Sequence, residues 1–469
     1  MRILKIVFSL NFLYILLIAA QVAAIIFLCL FVPSVIPLAA AYAGTFLLSA
    51  ITAAVLLVRG GGSEAKCAWF VLIAGLPVAG SVIYLLATAR GRRCGILKVN
   101  AGTLGDISAC AGDMCGTCAA GYDRAIYFRD GLALFERLFS EIKRAKLRVY
   151  VEFFIICRGR IFDLFLAALR QAKQNGTEIK VLVDGVGSAF KLRRKDVNRL
   201  KETGAEVKVF HRITPFPRSR LGFRDHRKIV TIDGKLAFTG GVNLADEYAN
   251  INSPYGYWKD TGVAVFGSVA KIFEGMFEAM WNGSAEIPFE GVGENFCLPY
   301  CDSPPEKGFC EELYVHKISA ATKRVHIMTP YFCVSEKLAG ALEFAARRGV
   351  DVKVLLPHIP DKPYAFELSK ACAHMLEPSG VKFYEFTPGF MHAKTLICDS
   401  EVFLGSYNFD FRSMRLNYEC GIMFNGSICD EVEYDFLDCL SRSQPLTEGK
   451  ISHARRFSRF ILKLFAPLI

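Results

Sequence analysis

One short pattern occurs twice in this chain, and the duplication restricts what it can fold into. The copies are His226-Arg-Lys228-Ile-Val-Thr-Ile-Asp233 and His392-Ala-Lys394-Thr-Leu-Ile-Cys-Asp399, both H-x-K-x4-D. Each is followed by a glycine and, three residues later, an asparagine: Gly240 with Asn243, and Gly405 with Asn408. Further on, Asp260-Thr-Gly262-Val263 is echoed by Glu419-Cys-Gly421-Ile422. A chain that keeps histidine, lysine, asparagine and carboxylate in one order twice must build two similar halves.

The residues around both histidines are β-branched and apolar, which predicts strands. Side chains at i and i+2 share a strand face, so His226 points with Lys228 and His392 with Lys394. A histidine beside a lysine suits phosphate: the ammonium neutralises phosphoryl oxygens while the imidazole acts on phosphorus or on the leaving group. Asn243 and Asn408 can add amide donors to the same oxygens. Parity places Asp233 and Asp399 on the opposite face, as supports of the following turn. A catalytic histidine needs an acceptor on its second ring nitrogen, and Asp260 and Glu419, recurring at matching places, are the candidates. One half supplies one histidine. Two halves face to face supply a nucleophile and a general acid, enough for a phosphohistidine route with no metal or cofactor.

These residues resemble the paired HKD motifs of the phospholipase D superfamily, and within it the bacterial cardiolipin synthases. The likeness is carried also by Phe223-Arg-Asp-His226, Thr239-Gly-Gly-Val-Asn243, Trp258-Lys-Asp260, Thr329-Pro-Tyr-Phe332 and Gly405-Ser-Tyr-Asn-Phe-Asp-Phe-Arg-Ser413, and covers residues 67–469. The resemblance implies that His226, Lys228, Asp233, His392, Lys394 and Asp399 form the catalytic motifs. It implies that Asn243, Asn408, Ser406, Asp260 and Glu419 bind phosphate or orient the motif residues. It implies that two phosphatidylglycerol molecules give cardiolipin and glycerol, with His226 as nucleophile and His392 as acid, the reverse assignment staying open. The motifs do not separate an alcohol acceptor from water, so a phospholipase D-type hydrolase, a nuclease or transfer to another alcohol stays open too. A catalytically inert lipid-binding scaffold is the contrasting reading, and two intact half-sites count against it.

The strand and helix signals alternate in both halves, with strands at 147–155, 178–184, 324–331 and 350–357 and helices at 162–174 and 335–348. The expected fold is α/β: two pseudo-symmetric phospholipase D-like domains, each a mixed, largely parallel sheet flanked by helices, behind an N-terminal helical membrane anchor. The expected boundaries are 1–93 for the anchor, 94–125 for a linker, 126–290 and 291–445 for the domains and 446–469 for a basic amphipathic C-terminal helix. Residues 6–32, 36–58 and 67–89 are uncharged runs of membrane-spanning length. They predict an integral, multi-pass protein of the bacterial cytoplasmic membrane. Arg90, Arg92, Arg93 and Lys98 put the catalytic portion on the cytoplasmic side. Arg2 and Lys5 pull the N-terminus the same way, which three spans cannot satisfy, so the side of the first run stays open.

Apolar residues make up 52% of the chain and the net charge is +11, a balance suited to phosphatidylglycerol and other anionic membrane lipids. No basic stripe interleaved with aromatics speaks for nucleic acid. The 16 cysteines are scattered, as free thiols in a reducing compartment would be. Cys110, Cys115 and Cys118 form the one cluster, with no role assigned. The C-terminal helix either lies on an anionic bilayer or packs on its own domain.

Overall fold

The computed structural model describes residues 35–58, 62–88, 96–100, 119–211, 223–288, 296–304, 308–447 and 451–468. The chain divides into two compact units. One gathers the N-terminal helices with the residues from Phe457 onward; the other holds both repeat halves, through Phe210 and again from Arg224 to Arg456.

In the larger unit the duplication reappears as two sheets of matching order. The first is built from β1 (Arg124–Phe128), β2 (Arg148–Phe153), β3 (Glu178–Asp184), β4 (Glu206–Phe210), β5 (Lys228–Ile232), β6 (Leu236–Gly240) and β7 (Gly262–Phe266), ordered β1-β7-β6-β5-β2-β3-β4. The second uses β8 (Phe296–Asp302), β9 (Arg324–Met328), β10 (Asp351–Pro357), β11 (Lys382–Phe386), β12 (Thr395–Cys398), β13 (Glu401–Gly405) and β14 (Asn417–Asn425). Its order is β8-β14-β13-β12-β9-β10-β11, extended by short strands at Ala120–Gly121 and Ser443–Pro445.

The sheets are mixed but not largely parallel. β2, β3 and β4 run parallel to one another, as do β9, β10 and β11, whereas the remaining neighbours along each path pair antiparallel. The reason is local. The strand after each H-x-K pattern doubles back through a tight turn, and at the first of these Asp233 and Gly234 have φ of 56° and 65°. An Asp-Gly pair in the left-handed region closes a hairpin, not a crossover.

Strand alternation sorts the apolar side chains into layers. Val230 and Ile232 of β5 join the core under the helices Gly131–Arg144 and Arg160–Gln174, while Ile229 points the other way. Leu396 and Cys398 of β12 join the core under Phe309–Ala320 and Glu336–Arg347, while Ile397 points the other way. The opposite faces meet in one shared core, where Ile229, Ala237 and Val263 of the first sheet and Ile397, Val402 and Ile422 of the second pack with the helices Val269–Asn282 and Ser427–Ser441. Both halves therefore share one core within the larger unit.

Two short parallel pairings cross between the halves. Arg224–Asp225 runs beside the start of β14, and the His226 amide donates to the Tyr418 carbonyl at 3.0 Å. Tyr257–Lys259 runs beside Gly389–Met391, and the His392 amide donates to the Lys259 carbonyl at 2.7 Å.

The expectation of a membrane-spanning anchor is corrected. Among the described residues no helix is long and apolar enough to cross a membrane. The run at 67–89 is broken at Leu76-Pro77 into helices Ser63–Gly75 and Pro77–Thr88, of 13 and 12 residues, where a span needs about 20. The run at 36–58 lies on the helix Val35–Val58, whose packed stripe carries Thr45, Ser49 and Thr52 beside Leu48 and Leu56. Leu56 packs with Ile73 and Tyr84 of the next two helices. The first run, 6–32, lies outside the described residues, as do Cys110, Cys115 and Cys118. The expectations of transmembrane helices, of an integral membrane protein and of a multi-pass location thus lose their structural basis. The C-terminal helix is formed, at His453–Phe465, with Phe457 and Phe460 exposed and Arg455 donating to both carboxylate oxygens of Glu367. The eleven described cysteines carry free thiols.

The x of the first pattern is structural. Arg227 is fully buried, and its guanidinium donates to the carbonyls of Glu419, Met276 and Asp302 and to the Ser303 hydroxyl. Replacing it by methionine removes a charged donor shared by four acceptors. Arg227→Met is expected to destabilise the fold by roughly 3 kcal/mol. The check is the midpoint of chemical denaturation, and an unchanged midpoint contradicts this bridging role.

Candidate active site

The crossing pairs bring each histidine to a carboxylate of the other half. His226 Nδ1 lies 2.9 Å from both Oε1 and Oε2 of Glu419. His392 Nδ1 lies 2.6 Å from Asp260 Oδ2. Both carboxylates are fully buried, and both histidines are buried with about a tenth of the ring side still open. With Nδ1 held by a carboxylate, Nε2 is the nitrogen left for chemistry.

Strand parity puts each lysine beside its histidine. Lys228 Nζ donates to the His226 carbonyl and sits over the Phe154 ring, 5.6 Å from its centroid. Lys394 Nζ donates to the His392 carbonyl and stands 3.0 and 3.3 Å from that ring's two nitrogens. Burial pushes Lys228 down to about 8 and Lys394 down to about 7, the Lys228 charge adding to the depression of Lys394. His226 is held well below its usual value by burial and then by Lys228 and Lys394. His392 is pushed down to about 3 by burial and Lys394, against the pull of Asp260, with Lys228 adding to the depression. Each lysine thus acts electrostatically on the histidine of the opposite half, as the crossing strand pairs that bring the motifs together require. Two neutral imidazoles lie in a field that seeks an anion.

The two carboxylates are supported differently. Glu419 accepts from Ser406 Oγ, from Ser413 Oγ at 2.8 Å and from Asn417 Nδ2 at 3.1 Å, yet burial pushes it up to about 7. Asp260 accepts from the Thr261 amide at 2.9 Å. Burial would raise it, but His392 and Lys394 outweigh burial and hold it below its usual value. The position matching Ser406 in the first half is Gly241, and a Cβ there would come within 2.1 Å of Asp260 Oδ1. The shorter carboxylate and the missing side chain go together.

The remaining sequence candidates fall in several places. Asp233 accepts from the amides of Lys146, Leu147 and Arg148, and Asp399 from those of Thr322, Lys323 and Arg324. Both motif aspartates therefore tie a turn to the start of β2 or β9 and do not join the histidines. Asn243 accepts from the Ile155 amide and donates to the Tyr248 hydroxyl at 2.7 Å, so it positions Tyr248, whose ring meets His392 edge-on at 5.3 Å. Asn408 is buried, its Oδ1 has no hydrogen-bond partner and its side chain reaches Asp410. Ser406 serves Glu419. The sequence reading missed Phe154, edge-on to His226 at 4.9 Å, and Ser413, Asn417 and Tyr248. Asn417 was within reach of parity, being two residues before Glu419 on the same strand. Asp435, Asp438 and Cys439 are the described side chains whose ligand atoms, within 4.8 Å of one another, could share an ion. Asp435 is already engaged by Lys259 and Tyr127, each at 2.6 Å.

The chain is similar to several known proteins. The family described as "Cardiolipin synthase, PLD-like domain" matches residues 138–281 and 314–440. A cardiolipin synthase of Clostridium perfringens is 32% identical over 369 residues, 74% of this chain and 77% of that protein. Cardiolipin synthase A of Pseudomonas fluorescens is 34% identical over 357 residues, 72% of this chain and 74% of that protein. Among solved structures, a phosphatidylserine synthase of Haemophilus influenzae superimposes with a TM-score of 0.58 at 14% identity, covering 75% of this chain and 94% of that one. This last likeness concerns the fold alone.

Two outcomes follow from the geometry. Gly241→Ala drives a methyl into Asp260 and is expected to lower turnover roughly 10²–10⁴-fold, as loss of acid–base function does. Turnover within twofold of wild type contradicts the tight Asp260–His392 arrangement. The alkaline side of the free enzyme's pH profile is set by the lysines: they are charged below about 7 and 8, and lose the proton as pH rises through those values, whereas Glu419 gains its charge as pH rises through about 7. The histidines stay neutral across that range. We expect kcat/KM to fall on the alkaline side with a midpoint between about 7 and 8, whereas a profile flat to pH 9 contradicts the depressed lysines.

Proposed function

This chain belongs to the PLD-like cardiolipin synthase family, a family of phosphodiester transferases, and from that membership we propose that it joins two phosphatidylglycerol molecules into cardiolipin and glycerol. The observation that carries the reading is the pair of histidine–carboxylate couples exchanged between halves, with both lysines beside them. Its two histidines supply the two separate roles that a double displacement needs.

In the proposed route His226 Nε2 attacks phosphorus, the phosphorus–oxygen bond to glycerol breaks, and His392 gives its proton to the departing oxygen. The hydroxyl of a second phosphatidylglycerol then attacks the phosphatidyl-histidine. Its proton passes to His392, the phosphorus–nitrogen bond breaks, and cardiolipin leaves. Lys228 and Lys394 neutralise the phosphoryl oxygens throughout. The nucleophile is assigned to His226 by the family resemblance. A phosphodiester arriving between the lysines offsets their charge, and this favours the protonated His392 that the first step requires.

The test is product analysis with labelled phosphatidylglycerol vesicles. Wild type is expected to give cardiolipin plus glycerol, and His226→Ala or His392→Ala to lose roughly 10²–10⁴-fold or more of it. Phosphatidic acid plus glycerol as the only products would make the protein a hydrolase on the same site. Wild-type product formation by either single variant contradicts the two-histidine scheme.

A further inference from the structure

The two halves match closely around the histidines, and two positions break the match in the same direction. Two residues before each histidine stand Arg224 in one half and Phe390 in the other. Four residues after each asparagine stand Glu247 in one half and Arg412 in the other. Phe390 is buried among aromatic rings, 4.8 Å from Trp258 and 6.1 Å from Tyr255, and Glu247 is paired with Lys191 at 3.0 Å. Neither arginine has a cation at the matching position of the other half.

Their placement is fixed by the fold. Arg224 lies two residues before His226, in the short strand Arg224–Asp225 that pairs with the start of β14. It is buried, and its Nη1 is 3.9 Å from Asp184 Oδ2. That carboxylate already accepts from the amides of Val186, Gly187 and Asp225. Arg412 sits in the short helix Phe411–Arg415, which Asp410 caps by accepting from the Ser413 amide at 2.8 Å. The next side chain, Ser413, donates to the carboxylate that holds His226. Burial and the Arg412 charge hold the Arg224 guanidinium below its usual value against the pull of Asp184; burial likewise lowers Arg412 against the pull of Asp410 and Asp184, and the Arg412 charge also weighs on His226.

Lys228 and Lys394 already answer the one anion that a donor phosphodiester brings. Two further guanidiniums by one histidine suit a second anion, and a planar guanidinium pair suits phosphate. In the transfer reaction the acceptor brings that anion, because its attacking hydroxyl lies on a three-carbon unit that ends in a phosphodiester. We propose that Arg224 and Arg412 form the subsite for the acceptor's phosphodiester, selecting a phosphate-bearing alcohol over a simple one. The inference rests on the transfer reading above and holds for either assignment of the nucleophile.

The experiment sets two acceptors in competition in one reaction: phosphatidylglycerol vesicles with radiolabelled glycerol. Cardiolipin reports the phosphate-bearing acceptor, and labelled phosphatidylglycerol reports the acceptor that has no phosphate. Arg412→Ala and Arg224→Gln are expected to lower the ratio of cardiolipin to labelled phosphatidylglycerol roughly tenfold or more, the loss of a charge-assisted hydrogen bond. Arg412→Lys, which keeps the charge but not the planar fork, should lie between, while Lys228→Ala lowers both products together. Label incorporation itself shows that a variant is folded. An unchanged ratio in Arg412→Ala and Arg412→Lys, or an equal loss of both products in them, overturns the subsite. A wild type that yields phosphatidic acid alone is a different result, which overturns the transfer reading and the subsite with it.

Discussion

Each imidazole is held by a carboxylate that the other half supplies, and the rest of the structure serves that exchange. Glu419 could not reach His226 unless β14 ran beside Arg224–Asp225, and Asp260 could not reach His392 unless Tyr257–Lys259 ran beside Gly389–Met391. Those parallel pairings need the two sheets to face a shared core, with Ile229 and Val263 from one and Ile397 and Ile422 from the other. Neither half can complete its own histidine. A site of this kind exists only when both halves have docked, so chemistry and tertiary assembly depend on the same contacts.

Within that near-symmetry the differences are small and chemically pointed. Asp260 is one methylene shorter than Glu419, and Gly241 leaves the space its carboxylate fills, whereas Ser406 donates to Glu419 from the matching position. Asp260 stays ionised beside His392, while burial pushes Glu419 up to about 7 despite three side-chain donors. The surroundings differ too. Tyr248, Trp258 and Phe390 crowd His392, whereas His226 has Phe154 on edge, Arg224 in its own segment and the charge of Arg412 from the short helix before Glu419. Two histidines with like partners and unlike neighbours can divide the labour of nucleophile and acid.

Much of this was legible because the repeat is written in side chains that do chemistry. The pairing of His226 with Lys228 and of His392 with Lys394 follows from period-two alternation, as does the exclusion of Asp233 and Asp399. The recurrence of Asp260 and Glu419 marked them as orienting acids. Which acid serves which histidine was not legible, because the exchange is a property of strand pairing between halves, and local sequence has no term for it. The further contacts of Asn243, with the Tyr248 hydroxyl and the Ile155 amide, were not legible for a related reason: they are set by tertiary packing. The sheets were read as largely parallel because the Asp233-Gly234 turn, a hairpin signal, was given no weight. Length and lack of charge predict spans in the apolar N-terminal runs, but Pro77 divides one, and Thr45, Ser49 and Thr52 lie on the packed stripe of another.

The central claim is that His226 works only as long as Glu419 of the other half orients it. Quenching the enzyme in denaturant at mildly alkaline pH with phosphatidylglycerol labelled at phosphorus, followed by peptide mapping at that pH, tests it directly. The account predicts label on the peptide that contains His226 in the wild type, and its loss in Glu419→Gln while the fold is kept. Label on that peptide at the wild-type level in Glu419→Gln would contradict it.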